Sequence, residues 1–268
     1  MPLRIATWNV NSLKARLGKL EEWIGYASPD VVCLQETKMA DAAFPTMAFT
    51  ALGYDAAHHG EGRWNGVAIL SRVGLTDVVA GFSHEAEDPV VESRLLSATC
   101  GGVRVSSVYV PNGRQVGTEH FEAKLRWLDG LRRHLTDTCD PSGRVVVCGD
   151  FNVAPDDRDV WDPSKANGGT HVTPEERSAL DALKAWGLED AFRRQHEGGR
   201  LFSWWDYRAG DFHKHKGMRI DLVLASRPLA ERVTFALIDR QARKGKAPSD
   251  HAPLLVDFDV DVPREGAA

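Results

Sequence analysis

Two short polar side chains, Asp150 and Asn152, follow the apolar run Val145–Cys148 and lie two residues apart. The β-branched residues of the run predict a buried strand, and Gly149 allows a tight turn at its end. In extended chain a spacing of two places both side chains on one face. A carboxylate and a carboxamide there can hold a water and an oxyanion side by side. An Asx-rich turn after a strand would contain the same residues, so this stretch alone leaves both interpretations open.

The same pattern recurs, because polar side chains end or interrupt other predicted strands. These residues are Asn9, Asn11, Glu36, Tyr109, Asp221, Asp250 and His251. Ligands of α/β sheets bind just beyond the carboxyl ends of strands, so one shared cleft is expected. Oxygen ligands without a cysteine or histidine cage favour Mg²⁺ or Mn²⁺ over zinc.

Such a cleft suits chemistry at phosphorus. A divalent cation polarises a phosphoryl oxygen, and a carboxylate orients or deprotonates the attacking water. A histidine paired with a carboxylate can donate to a non-bridging oxygen as negative charge builds. The sequence contains neither a GxSxG elbow nor a Walker lysine motif. Acyl transfer by that route and P-loop nucleotide hydrolysis are therefore disfavoured.

Short strands and helices alternate along the chain and must position these side chains. Apolar runs and alternation predict strands over residues 3–10, 31–34, 66–71, 95–100, 103–110, 145–148, 220–224 and 254–260, and a strand-like aromatic stretch over 201–207. Helical spacing predicts helices over residues 13–26, 121–135 and from Thr173 to about Trp186. Ser12 is expected to cap the first helix, and Thr173 with Glu176 forms a predicted capping box for the third. Residues 39–65 are predicted to be loop-rich.

No linker or repeat divides the chain, so residues 1–262 are predicted to form one catalytic domain, followed by a flexible tail over 263–268. The net charge is −5, which argues against a surface that is basic throughout. A local basic patch can still bind phosphate. Four cysteines without a CxxC pair predict buried reduced thiols in a cytoplasmic protein. No signal peptide is recognised, and no apolar run approaches the roughly 20 residues of a membrane span. His58 and His59 are expected to be solvated loop residues rather than metal ligands.

Six motifs, in order, resemble the signature of the exonuclease III family of AP endonucleases. They are Thr7-Trp8-Asn9-Val10-Asn11, Leu34-Gln35-Glu36-Thr37-Lys38, Tyr109-Val110-Pro111-Asn112, Gly149-Asp150-Phe151-Asn152, Arg219-Ile220-Asp221 and Ser249-Asp250-His251. Each motif is weak alone, but six in order over residues 3–258 are specific. The resemblance implies an α/β fold of the DNase I-like type, a four-layered sandwich of two packed mixed β-sheets flanked by helices.

The resemblance also implies the function. A metal-dependent phosphodiesterase of base excision repair would incise duplex DNA 5′ of abasic sites and leave a 3′-hydroxyl, with related 3′→5′ exonuclease and 3′-phosphatase activities. The implied cofactor is Mg²⁺ or Mn²⁺. The implied partner is duplex DNA with abasic sites or 3′ ends. The protein is expected to act as a monomer and not to bind a membrane. A sugar- or lipid-phosphate phosphatase, a nonspecific DNase and a non-catalytic scaffold are the alternatives.

The family pattern implies a role for each matching residue. Glu36 would be the principal metal ligand, helped by Asn9 or Asn11, and Asp250 a ligand or its neighbour. Some family members carry aspartate at the position of Asn11, so the part of Asn11 in metal binding stays open. The number of metal ions also stays open. The implied catalytic roles fall to five residues: Asp150 handles the water, Asn152 positions water and phosphate, Asp221 orients His251, His251 contacts the phosphate, and Tyr109 supports it.

DNA contacts are predicted on loops. Arg114 follows Tyr109 on a sharp loop, and Lys214 and Lys216 lie in the basic segment 208–219; residues 240–246 form a second basic segment. A solvated charged loop is the alternative for both segments. By the family resemblance, an apolar pocket for the abasic sugar would consist of Trp204, Met218 and Ile220. Trp205 is expected to face the core, and Trp204 itself could pack there instead.

Overall fold

The computed structural model describes residues 2–83, 92–166 and 169–262. The predicted flexible tail from Pro263 onward lies outside the described residues, as do Asn167 and Gly168 of the polar connection after β8. In chain order, the described strands are β1 (Leu3–Asn9), β2 (Val31–Gln35), β3 (Asp55–His59), β4 (Val67–Ser71), β5 (Thr76–Ala80), β6 (Leu95–Cys100), β7 (Val103–Tyr109), β8 (Val145–Asp150), β9 (Leu188–Asp190), β10 (Asp221–Ser226), β11 (Val233–Ile238) and β12 (Leu254–Phe258). The described α-helices are α1 (Leu13–Ala27), α2 (Thr46–Ala51), α3 (Glu119–Thr138), α4 (Pro163–Ala166), α5 (Pro174–Trp186) and α6 (Arg227–Ala230).

The strands form two six-stranded sheets, with the orders β11-β12-β1-β2-β4-β3 and β5-β6-β7-β8-β10-β9. Each sheet is mixed: β1 and β2 pair in parallel in the first, and β7 and β8 pair in parallel in the second. The other pairings are antiparallel. This arrangement confirms the predicted pair of mixed sheets.

Alternation along each strand separates an inner from an outer face. Ile5 of β1 packs with Cys148 of β8 and Val223 of β10 in the core between the sheets. Trp8, on the opposite face of β1, packs instead with Trp23 of α1. The second sheet likewise packs its outer face against α3 and α5. Each fully buried aliphatic side chain contributes about 1.5–3 kcal/mol, so the apolar alternation holds helix, sheet, sheet and helix together as four layers.

The helix starts show one correct and one incorrect prediction. Thr173 and Glu176 form the predicted capping box of α5, with Pro174 in its first turn. Ser12 precedes α1 but makes no side-chain capping bond, because its backbone adopts φ 87°. Its backbone amide donates instead to the carbonyl of Glu36, 2.7 Å away, which ties the start of α1 to the end of β2.

Several strand predictions need correction. The loop-rich region 39–65 contains α2 and β3, and β5, β9 and β11 were not predicted at all. All five residues of β5 are exposed, so the strand lacks the apolar alternation on which the prediction relies. The aromatic stretch 201–207 is not a strand; within it, Trp204 forms isolated bridges with Met218 and His251. Its backbone is therefore held between two loops rather than in a sheet.

His58 also differs from the expectation of a solvated loop residue. Its side chain is only 4 % exposed, and it lies 2.8 Å from Asp41 and stacks on the ring of Phe44. Its Nε2 atom lies 2.8 Å from the Thr37 hydroxyl, next to Glu36. Burial lowers the pKa of His58 despite the nearby Asp41 carboxylate, so the ring is neutral. The four cysteines are free thiols, as predicted. Among the described helices, none is long and apolar enough to cross a membrane.

Candidate active site

Strand ends from both sheets meet at one edge of the sandwich. Tyr109 and Asp150 are register partners at the ends of parallel β7 and β8. Asp221, which opens antiparallel β10, is the partner of Asp150 on its other side. Gly149 permits this close pairing, because a Cβ there would lie 1.9 Å from the Val108 carbonyl oxygen. The predicted turn at Gly149 is absent: β8 continues through Asp150, and glycine is needed for close approach of the strands.

His251 lies between two carboxylates. Its Nδ1 atom is 2.9 Å and 3.1 Å from the two oxygens of Asp221, and its Nε2 atom is 3.8 Å from Asp150 Oδ2. All three side chains are buried. Burial alone would lower the pKa of His251, but Asp221 and then Asp150 outweigh it and raise the pKa to about 10. The imidazole is therefore protonated at neutral pH, and it can donate a hydrogen bond from Nε2.

The environment of the Asp150 carboxylate is strongly perturbed. Burial raises its pKa to about 7, against the opposing charge of His251. Asn9 donates from Nδ2 to both Asp150 Oδ2 and Glu36 Oε1, at 2.9 Å each, and so links the two acidic groups. A carboxylate whose pKa lies near 7 can accept a proton from water at neutral pH.

Glu36 and Asn11 share one cation. The Lys38 ammonium lies 2.8 Å from Glu36 Oε2 and also donates to Asn11 Oδ1. Asn11 Nδ2 in turn donates to Asp250 Oδ1 over 3.0 Å. Asn11, Glu36 and Lys38 have positive φ angles of 44°, 52° and 52°. Left-handed backbone costs a residue with a Cβ about 1–2 kcal/mol. Its repetition here marks a loop shaped to bring oxygen atoms together.

Asn152 and Tyr109 complete the edge. Asn152 has a φ angle of 50°. Its side-chain amide donates from Nδ2 to the Val110 carbonyl at 2.9 Å, and its backbone N–H donates to Asp150 Oδ1 at 2.9 Å. Burial first, then the charges of Glu36 and Asp150, raise the pKa of Tyr109 well above the ordinary value. Its hydroxyl therefore stays protonated and can donate.

A small apolar cluster adjoins His251. Trp204, Met218 and Ile220 pack there with Val160 and Ala154. Trp204 is partly exposed, and its Nε1 donates to Asp250 Oδ2 at 3.1 Å, whereas Ile220 is 2 % exposed. Trp205 is fully buried, as expected, in the core between the sheets. Met218 bridges Trp204 outside the sheets, and β10 begins at Asp221, one residue after its predicted start at Ile220.

The predicted basic segments are only partly available to a ligand. Lys214 is exposed, and Lys216 lies 4.7 Å from the centre of the Trp161 ring. Arg219 does not face solvent: it is fully buried and pairs with Asp159 at 2.7 Å and Asp190 at 2.8 Å. Arg243 is also buried and donates to the carbonyl of Ser249. These two guanidiniums are structural, because buried charges require partners inside the protein.

Arg114 does not reach the carboxylate cluster either. Arg114 lies on the loop between β7 and α3. Its side chain is exposed and lies 2.9 Å from the imidazole of His120. Its backbone N–H donates to Asn112 Oδ1 at 3.1 Å, which shapes the turn. A surface guanidinium at this edge remains available to an anion.

The cations Lys38, Arg94 and Lys124, which lie near the site, were not predicted. The Arg94 guanidinium lies 4.6 Å from the centre of the Tyr109 ring. Lys124 is fully buried and lies on the apolar stripe of α3, three residues after Phe121 and four before Leu128. A lysine at a core position of an amphipathic helix was the available sequence signal, because such positions are normally apolar.

The arrangement can hold a cation and act on a phosphate. The ligand atoms of Asp150, Asp221 and His251 lie within 4.8 Å of one another, so this buried group could bind a metal ion. Glu36 and Asn11 form a second set of oxygen atoms, already converging on the Lys38 ammonium. The second set fits a hard divalent cation better, because His251 is protonated and its Nδ1 is taken by Asp221.

The chain matches the model of the endonuclease/exonuclease/phosphatase family over residues 6–251, and it belongs to this family. Within the family, its relatives are exodeoxyribonuclease III and AP endonucleases. Exodeoxyribonuclease III of Haemophilus influenzae is 35 % identical over 96 % of this chain and 100 % of its own length. These relationships confirm the predicted family and the class of enzyme.

Solved structures agree with the sequence relationship. An AP endonuclease from Archaeoglobus fulgidus superposes with a TM-score of 0.92 at 38 % identity, over 96 % of this chain and 100 % of that one. A 3′ phosphatase from Neisseria, bound to a product DNA hairpin, also gives a TM-score of 0.92, at 36 % identity and with the same coverage. The DNase I-like arrangement of the two sheets is thereby confirmed.

Proposed function

We propose that this protein is a metal-dependent phosphodiesterase that cuts duplex DNA 5′ of abasic sites and leaves a 3′-hydroxyl. The observation that carries the proposal is the protonated His251 held between Asp221 and Asp150, directly beside the cluster of Trp204, Met218 and Ile220. The first feature supplies a donor and an acceptor for phosphate chemistry. The second supplies an apolar surface for a sugar without a base, formed by the partly exposed Trp204 and Met218 with the buried Ile220 behind them. Residues 1–262 would act as one catalytic domain and as a monomer.

The metal would be Mg²⁺ or Mn²⁺, held by Glu36 with Asn11 and supported by Asp250 and Asn9. Two oxygen atoms of this set, Glu36 Oε2 and Asn11 Oδ1, already contact the Lys38 ammonium, which supports a hard ion there. In the arrangement seen here, Asn9 presents its amide nitrogen to Glu36, so Asn9 links Glu36 to Asp150. When bound, the metal would neutralise charge on the phosphate and stabilise the leaving oxygen.

The side chains divide the remaining work. Asp150 holds the attacking water and takes its proton, and Asn152, fixed by its bonds to Val110 and Asp150, orients that water and the phosphate. His251 donates from Nε2 to a non-bridging phosphate oxygen, where negative charge grows in the transition state. Asp221 keeps the ring protonated and oriented. Tyr109 donates its hydroxyl proton to the phosphate or the leaving oxygen.

Selection of the abasic nucleotide would come from the pocket of Trp204, Met218 and Ile220. Enzymes of this kind must turn the target nucleotide out of the stack, and an intact nucleotide brings a base that costs further energy to unstack and house. The partly exposed Trp204 pairs with His251 through its backbone and donates from its ring nitrogen to Asp250, so the sugar and the phosphate would be held by neighbouring groups. Arg114, Lys214 and Lys216 would contact the flanking DNA backbone.

A 3′-end activity is the second candidate for the same site. The 36 % identical Neisseria protein is described as a 3′ phosphatase and was solved with a product DNA hairpin. Removal of a 3′-phosphate or a 3′-nucleotide uses the same water, donor and metal and differs only in how the DNA end is seated. The proposal therefore includes 3′→5′ exonuclease and 3′-phosphatase activity.

A panel of labelled DNA duplexes tests the proposal. In Mg²⁺, a duplex with one abasic site should be cut once, on its 5′ side, to a product that a polymerase can extend. Intact, recessed and 3′-phosphate duplexes report the other activities, and His251→Asn from the same preparation controls for contaminating nucleases. Failure to cut any DNA, with release of phosphate from sugar or lipid phosphates, would replace the proposal by a phosphatase of the same family.

A further inference from the structure

A fully buried ion pair lies beneath the catalytic edge, outside the group of residues assigned to the chemistry. Lys124 of α3 and Glu176 of α5 both have side chains with 0 % exposure, and their charged groups are in direct contact. Burial alone would raise the pKa of Glu176, but the charge of Lys124 and several hydrogen bonds bring it below the ordinary value. The glutamate is therefore ionised at neutral pH.

The Lys124 ammonium connects two loops that carry site residues. Its Nζ donates to the backbone carbonyl of Asn152 at 2.6 Å and to that of Asn112 at 3.3 Å. The first loop follows β8, and the second follows Tyr109 at the end of β7. One buried cation thus sets the spacing between the loop that carries Asn152 and the loop that follows Tyr109.

Glu176 extends the connection to the loop before α5. Its Oε1 accepts the backbone N–H of His171 at 2.8 Å and the hydroxyl of Thr170 at 2.7 Å. Its Oε2 accepts the backbone N–H and the hydroxyl of Thr173, both at 3.0 Å. The imidazole of His171 returns to the Asn152 carbonyl, which is therefore held from two sides.

Stability alone does not account for this pair. Removing two charges from water costs several kcal/mol, and well-packed uncharged replacements of buried ion pairs are often equally stable. The pair does what an apolar replacement could not: the Lys124 ammonium donates to the backbone carbonyls of both Asn152 and Asn112 and so joins the two loops directly. Asn152 in particular is held at φ 50°, a left-handed conformation that is uncommon outside glycine, although asparagine adopts it more readily than most residues.

We propose that Lys124 and Glu176 are positioning residues for the reaction, and that they act by holding the Asn152 loop against the Asn112 loop. This inference rests on the proposed function, since it assigns the pair to the step in which Asn152 orients water and phosphate. Misplacing a catalytic group by about 1 Å can cost on the order of 100-fold in rate. Lys124 and Glu176 themselves touch no reacting atom.

The test replaces both charges at once, so that neither is left buried alone. The variant Lys124→Met with Glu176→Gln keeps side-chain length, and the glutamine retains a carbonyl for the capping box. We expect it to remain folded, with kcat on the abasic duplex lower by about 10- to 100-fold and KM within about threefold. The matched control is Lys184→Met with Asp181→Asn, an exposed lysine–aspartate pair on α5 separated by 2.9 Å, which should leave kcat unchanged.

Coupling to Asn152 separates positioning from general loosening. In an Asn152→Ala background, the paired substitution should change kcat by less than about threefold, because the group it positions is already gone. A loss equal to that in the parent would show that the pair acts elsewhere and would overturn the inference, as would a folded paired variant with parental kcat. If the paired variant does not fold, Thr170→Val serves instead, because it removes only the hydroxyl that joins Asn112 to Glu176. Thr170→Val should lower kcat in the parent protein but not in the Asn152→Ala background. A Thr170→Val variant with parental kcat would reject the inference. A parent without activity on abasic DNA would reject the proposed function itself.

Discussion

The Nδ1 atom of His251 lies 2.9 Å from Oδ2 of Asp221, although thirty positions separate the two residues in the chain. The contact forms because β10 of the second sheet begins with Asp221 at the same edge of the sandwich at which residues 249–251 lead into β12 of the first sheet. It turns the other ring nitrogen, Nε2, toward Asp150. This one relationship determines the charge of the imidazole and the direction of its remaining proton.

Replacement of His251 tests its role as a donor to the phosphate. His251→Asn should lower kcat by on the order of 100-fold or more, as expected for the loss of one positioned transition-state donor. Affinity for an abasic duplex, measured without cleavage in excess chelator, should change by less than about fivefold, because the donor acts mainly as charge develops. Near-normal turnover in the variant would contradict this role.

The rate should depend on pH through Asp150 and His251. Asp150 must be ionised and His251 protonated, so kcat/KM should rise with pH near the Asp150 pKa of about 7 and fall near the His251 pKa of about 10. Asp221→Asn removes the main charge that raises the pKa of His251. Its alkaline limb should therefore move to lower pH by about one unit or more. An alkaline limb that does not move would show that another group controls it.

Metal removal should abolish activity, and Mg²⁺ or Mn²⁺ should restore it. Glu36→Gln should weaken Mn²⁺ binding by on the order of 10-fold or more, measured by electron paramagnetic resonance of the free ion, because it removes the charged ligand. The melting temperature should stay close to that of the parent, since Glu36 lies at the edge and outside the core. Full activity in excess chelator would reject a metal mechanism.

Two adjacent tryptophans provide a matched test of the abasic pocket. Trp204→Ala should reduce the preference for abasic over intact duplex with little effect on melting temperature, because Trp204 is partly exposed. Trp205→Ala should instead cost about 3–5 kcal/mol of stability, because Trp205 is fully buried. If Trp204→Ala destabilises the fold as strongly and leaves the preference intact, Trp204 belongs to the core and not to the pocket.

Salt dependence tests the DNA-contacting surface. Each phosphate contact adds about 0.9 to the slope of log affinity against log salt. Lys214→Ala with Lys216→Ala should therefore flatten this slope by about one to two. Arg132→Ala with Arg133→Ala also removes two positive charges, from the last turns of α3, which lead away from the catalytic edge. That control should leave the slope unchanged, and an unchanged slope in the lysine variant would place the DNA elsewhere.

Local sequence determines the parts of this protein that depend on neighbouring residues. Alternation in β1 separates Ile5 from Trp8 and so predicts a strand with two buried faces. Spacing places Asp150 and Asn152 near the end of β8. Thr173 and Glu176, three positions apart, form the capping box that starts α5. The order of the six motifs was also sufficient to predict the family and the two-sheet fold.

Only the tertiary structure decides which charges are buried and paired. Arg219 and Lys214 lie in one basic segment, yet Arg219 is enclosed by Asp159 and Asp190, whereas Lys214 is exposed. Lys124 likewise meets Glu176 and the Asn152 carbonyl only because α3, α5 and the loop after β8 pack together. Burial and ion pairing depend on contacts between residues distant in the chain, and local pattern carries no information about them. For the same reason, the raised pKa of His251 follows from the packing of β8, β10 and the loop before β12, and not from the motif in which His251 lies.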